Sequence, residues 1–220
     1  MILYFLNNRG HMQPADLLFL FATYAIIILL VLPFHELAHA YVAHKCGDDT
    51  AKWHGRLSLN PLAHLDLWGT LAIVVVGIGY AKPVPIVPRN FRHYKRDTIL
   101  VALAGPVSNL LMAIAAGGLF KLATLFIHDI VVLNVLWMIA NILMSVNVGL
   151  AVFNLLPIPP LDGSRLWTTL LPGKWSYTLE RYSREITGVL FVLLLVGVLD
   201  KPLDFLSTVF LYGIRALFRF

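Results

Sequence analysis

Charge is what this sequence has least of. Of its 220 residues, 17 are Lys or Arg and 12 are Asp or Glu, 13% in all against 59% hydrophobic, and the mean hydropathy is +0.78. A water-soluble domain carries about 25% charged residues to cover its surface, so this composition excludes a soluble globular protein and indicates a membrane protein. Cysteine is almost absent. The single Cys46 excludes an internal disulfide and reads as a small packing side chain. Glutamate is confined to Glu36, Glu180 and Glu185, which limits the carboxylates open to any site. The opening stretch, MILYFLNNRGHMQ, lacks a basic segment followed by an apolar core and a small-residue cleavage site, so no cleaved signal peptide is expected. Repeats, low-complexity tracts and long linkers are missing too, and residues 1–220 are expected to form a single membrane-embedded domain.

Long apolar runs are abundant. They cover about 16–45, 98–127, 130–156, 185–199 and 203–218, near the roughly 20 residues that cross about 30 Å of hydrocarbon. A shorter piece, Leu67 to Tyr80, suits a partial or re-entrant helix. The expected fold class is therefore an all-α polytopic membrane protein with about five to six transmembrane helices. The stretch AKPVPIVPRNFRHYKRD, 81–97, contains Pro83, Pro85 and Pro88, which exclude a regular helix. An extended segment or hairpin is expected near 81–91.

Loop charges give an orientation, because Lys and Arg collect on the cytoplasmic side. Lys82, Arg89, Arg92, Lys95 and Arg96 precede the second long span, and Arg165, Lys174, Arg181 and Arg184 follow the third. The turn at His128 and Asp129 carries neither residue type. This pattern places residues 45–97 and the loop after 156 in the cytoplasm and the N-terminus outside, and ends the chain inside at Arg215 and Arg219. The basic cluster at 89–96 is expected to meet anionic lipid rather than nucleic acid.

Against this apolar background, LPFHELAHAYVAH, residues 32–44, stands out at the end of the first span. His35 and His39 lie four residues apart, about 40° round a helix, close enough for two imidazoles to share one Zn²⁺. Glu36 sits where the H-E-x-x-H arrangement places a carboxylate beside the attacking water. Ionisable groups at bilayer depth are costly and mark functional sites. His44 lies about 180° round from His35 and reads as a packing or interfacial residue.

The third ligand has few sources. A metzincin spacing would need a histidine where Lys45 stands, and a gluzincin arrangement would need Glu180 or Glu185, both in a basic loop. Asp162 fits better. It ends NLLPIPPLDG, 154–163, where three prolines stop a long apolar helix, which is tolerated only around a polar cavity. The charge pattern delivers His35 and Asp162 to the same side. The fourth position is left for water, as a catalytic zinc site requires.

HELAH (35–39), GPVSN (105–109) and NLLPIPPLDG (154–163) occur in the order found in the intramembrane zinc metalloproteases, and the chain resembles this site-2 protease family. The resemblance implies one Zn²⁺ per chain held by His35, His39 and Asp162, Glu36 as catalytic base, three core membrane helices, and a site opening toward the cytosol. It is closest to the compact branch without a PDZ domain, and it implies a prokaryotic cell membrane. The implied reaction is hydrolysis of a peptide bond in or beside a transmembrane segment of a membrane-anchored protein. Asn154 and Asn109 carry amide donors suited to the developing oxyanion or to the substrate backbone. Asn141 and Asn147 join Asn154 in a polar stripe read as lining the cavity. The extended segment 81–91 offers an edge for holding an unwound substrate. Two other readings stay open: a membrane zinc transporter or non-catalytic metal-binding protein, and a metalloprotease using a glutamate ligand.

Overall fold

A computed structural model of the chain describes residues 14–75 and 81–219. The opening stretch read for a signal peptide and the end of the piece 67–80 fall outside the described residues. Every regular element among the described residues is helical, as expected of an all-α polytopic membrane protein. Three helices are long and apolar enough to cross a membrane, or four if one bent pair counts as a single span. The chain divides into two compact units, one up to Asn90 and one from Phe91 onward.

In the first unit, α1 (Pro14–Ile26) runs through a wide π-helical turn, Ile27–Val31, into α2 (Leu32–Lys45). Residues Leu20–Lys45 of this run form a candidate span. Pro33 explains the wide turn, because proline offers no amide to the preceding turn and its ring crowds that turn's carbonyl. The ladder shifts instead, and the Leu32 amide bonds to Ile27 O. Gly47, at φ 109°, ends α2, in a conformation that glycine adopts without strain. Three short helices follow: α3 (Thr50–Trp53), α4 (Pro61–His64) and α5 (Leu67–Val75). The nine described residues of α5 rise about 14 Å.

Residues 81–87 form no regular element, and a 3₁₀ turn covers Pro88–Asn90. The stretch shows no strand pairing among the described residues, so no hairpin is formed there. Val84 is buried with Ala40 and Ala51, alongside Leu57 and Ile86, so the segment packs on α2 at Ala40.

The second unit is built on an antiparallel pair, α6 (Tyr94–Phe126) and α7 (Ile130–Asn154). Their turn is fixed by Asp129, whose Oδ1 accepts from the amides of Val131 and Val132 at 2.8 and 3.1 Å. Ala113 and Ala116 on α6 meet Met144, Val148 and Val152 on α7, small residues letting the helices approach closely. The chain continues as α8 (Asp162–Leu170), α9 (Gly173–Arg181), α10 (Ser183–Leu195) and α11 (Asp200–Phe218).

The last two apolar stretches form two helices that meet the length and hydropathy of a membrane span only as a pair. α10 and α11 are bent by 82° at a short break, where Gly197 adopts φ 75°. Thirteen residues of α10 rise about 20 Å, less than the hydrocarbon thickness. Phe218 lies against Gly117 and Gly118 of α6, and Arg215 donates from Nη2 to Asn141 Oδ1 at 2.8 Å, near the middle of α7. The guanidinium also lies 5.8 Å from the Trp137 ring centroid. The cation thus has a polar acceptor and an aromatic face beside it.

Candidate metal centre

His35 and His39 project from one face of α2, as their spacing predicts, and are 5% and 6% exposed. Their Nε2 atoms approach to 3.1 Å, with the rings edge to face at 78°. Two nitrogens at about 2.0–2.1 Å from one ion in a tetrahedral arrangement stand about 3.4 Å apart. The pair therefore fits a shared ion closely, and imidazole is a suitable donor for zinc. Glu36 follows on the adjoining part of α2 and is half-buried. His44, at the far end of the helix, pairs with Asp49 through Nδ1. It is engaged locally, in line with the packing role read from its angle.

In the second unit, Asp162 is the first residue of α8, half-buried. The prolines before it end α7 by withholding amides, and the Pro159–Pro160 peptide is cis. Thr187 of α10 donates to Pro159 O at 2.9 Å, which ties the proline loop to a second helix. Gly163 supplies what the motif L-D-G could not disclose by itself. A Cβ there would stand 2.4 Å from the carbonyl oxygens of both Leu155 and Leu156, so only glycine lets the start of α8 press onto the end of α7. The position of Asp162 depends on that close approach.

The asparagines separate. Asn109 is fully buried in α6. Asn154 is half-buried, and its Nδ2 donates to Leu150 O at 3.0 Å in its own helix. Asn147 is fully buried and does the same with Leu143 O at 2.8 Å. Asn141 receives Arg215. Of the stripe read from the sequence, Asn147 and Asn154 bond carbonyls of their own helix and Asn141 bonds α11 through Arg215.

One cluster was not singled out from the sequence. Asp48, fully buried, accepts from the Thr50 amide and hydroxyl at 3.1 and 2.5 Å, the Val87 amide at 2.7 Å, and Asn90 Nδ2 at 2.9 Å. Burial pushes its carboxyl up, but these four donors outweigh burial and hold it below the usual aspartate value. Asp48 is thus an ionised acceptor through the neutral range. Its signal in the sequence was slight: a lone Gly-Asp after a helix end, 39 residues from Val87.

A model of "Peptidase family M50" matches residues 115–197, the part of the chain that carries Asp162. Among relatives, a Bacillus subtilis protein named "Putative zinc metalloprotease YwhC" is 46% identical over 153 residues, covering 67% of this chain and 69% of that protein. A protein of the same description, Rip2 of Mycolicibacterium smegmatis, is 33% identical over 61% of this chain and 52% of its own length. The archaeal MJ0611 of Methanocaldococcus jannaschii, again so described, is 30% identical over 60% of this chain and 62% of its own. No solved structure matches. Close identity over two thirds of both chains in the first comparison shows that this protein belongs to peptidase family M50, the site-2 protease family of metalloproteases.

Proposed function

We propose that the protein is a zinc-dependent intramembrane endopeptidase, one membrane-embedded catalytic domain that cuts membrane-anchored proteins within or beside their transmembrane segments. The observation that carries this reading is the buried pair of imidazole nitrogens 3.1 Å apart, on a helix apolar enough to cross a membrane. Family membership and the names of the relatives point the same way. His35, His39 and Asp162 would hold one Zn²⁺. When bound, the ion supplies a Lewis acid that polarises the scissile carbonyl and makes water nucleophilic near neutral pH. Glu36 takes the proton from the attacking water and passes it to the leaving amine.

Asn154 is the more accessible of the two amide donors for the substrate carbonyl, exchanging its bond to Leu150 O for the oxyanion. Asn109, fully enclosed, would support the site by holding neighbouring backbone. The extended segment 81–91 would hold the unwound substrate chain by edge pairing. The loop charges favour a site toward the cytoplasm, the bacterial and archaeal relatives favour a prokaryotic cell membrane, and the partners are the lipid bilayer and a membrane-anchored protein substrate.

Glu36→Gln tests the reading. Cleavage of a membrane-anchored reporter should fall by about 10²–10⁴ while zinc per chain stays at the wild-type level. Asp162→Ala should lose zinc. Undiminished cleavage by the Glu36→Gln protein would defeat the assignment of the base, and zinc retained without Asp162 would favour a glutamate ligand.

A further inference from the structure

Two ends of the irregular segment 82–90 are tied down by groups the reaction itself does not need. At its start, the Lys82 amide donates to His64 O at 2.8 Å. Buried Arg56 donates from Nη1 to Lys82 O at 3.4 Å and to Ala63 O. At its other end, Asp48 Oδ2 accepts the Val87 amide, and Oδ1 accepts Asn90 Nδ2. Between the ties, Pro83 and Pro85 have no amide to offer. That leaves the amides of Val84 and Ile86, which have no partner among the described residues. They are two residues apart, the spacing at which an adjoining strand presents acceptors. The Val84 side chain packs on Ala40, the residue after His39, so the segment is registered against the helix that carries the histidine pair.

We propose that Asp48 is a positioning residue for substrate, holding the proline-spaced segment 82–87 in register with α2 so that the Val84 and Ile86 amides can pair with the unwound chain. This rests on the reading above that the segment holds substrate. The chemistry of Asp48 makes the role separable from simple packing. Its two oxygens have different clients: Oδ1 serves Thr50 and Asn90, Oδ2 serves Val87. In an Asp48→Asn protein, the amide oxygen can keep the Thr50 and Asn90 bonds, but Nδ2 then faces the Val87 N–H, donor against donor. The substitution releases the strand end and spares the helix end.

The test has two readouts, made on the full chain. In kinetics on a membrane-anchored reporter, Asp48→Asn should raise KM about tenfold, with kcat and zinc per chain near wild type. Asn90→Ala, at an exposed position, removes one tie and should raise KM about threefold. The second readout needs no turnover. In a Glu36→Gln background, a cysteine introduced as Lys82→Cys is oxidised against a cysteine in the reporter's cut region, and Asp48→Asn should lower the disulfide yield severalfold. Equal yields with and without Asp48→Asn would overturn the proposal, whatever the cleavage assay gives. A fall in kcat and zinc together at constant KM would overturn it as well, by showing a purely structural role. If the wild type fails to cut the reporter, the proposed function falls, and the crosslink comparison still decides the role of Asp48.

Discussion

The two units satisfy their polar groups in opposite ways. Up to Asn90, the backbone leaves regular helix for long stretches, and side chains supply the missing bonds: Asp48 for Thr50 and Val87, Arg56 for Ala63 and Lys82, and His64 Nε2 with Ser58 O at 2.7 Å. From Phe91 on, the long helices satisfy their own backbone. Their polar side chains mostly return to carbonyls one turn back, as Ser108 does to Gly105, Asn147 to Leu143 and Asn154 to Leu150. Irregular backbone next to a membrane has to be paired within the protein, whereas polar groups inside a continuous helix are already provided for. Asp48 and Arg56 are therefore structural by virtue of the distant backbone they reach, whereas Asn147 and Asn154 bond only within their own helix.

This contrast ranks the consequences of substitution. Arg56→Met keeps the volume of the side chain but deprives two carbonyls of a charged donor, and should cost about 3 kcal/mol, read as a lowered unfolding midpoint in detergent. Gly163→Ala is the strongest test in the second unit, since it sets a methyl group against two carbonyl oxygens at 2.4 Å. We expect a loss of about 2 kcal/mol and weaker zinc retention from displacement of Asp162. At the bottom of the scale, Asn147→Leu should change stability by less than about 0.5 kcal/mol and leave cleavage within about twofold, because Leu143 O keeps its helical amide. A large loss of activity there would revive the reading of Asn147 as a cavity residue and erase the contrast between the units.

Much of this was legible in the sequence because it is local. His35 and His39 fall on one helical face by periodicity alone, and the α6–α7 pair follows from hydropathy and a turn at Asp129 without Lys or Arg. What the sequence did not convey depends on contacts between distant segments. Hydropathy describes 185–199 and 203–218 as two runs but does not disclose the 82° bend between them, where Gly197 has a positive φ. Arg215 looks like a terminal anchor until Asn141 and Trp137 are found beside it. Gly163 acts by having no side chain, which leaves no pattern to read, and Asp48 is defined by an amide 39 positions away.

The wide turn at Ile27–Val31 fixes more than the path of the chain. Relative to an unbroken α-helix, it adds one residue to the count between the two halves of the first span, and one residue corresponds to about 100° of rotation. Excising a single residue there would let the hydrogen-bond ladder close uniformly and would swing His35 and His39 a quarter-turn or more away from their present azimuth relative to α1. The same imidazoles, still four apart and still adjacent to each other, would then look out on a different neighbourhood. The aim of the pair is set some two turns before the first histidine.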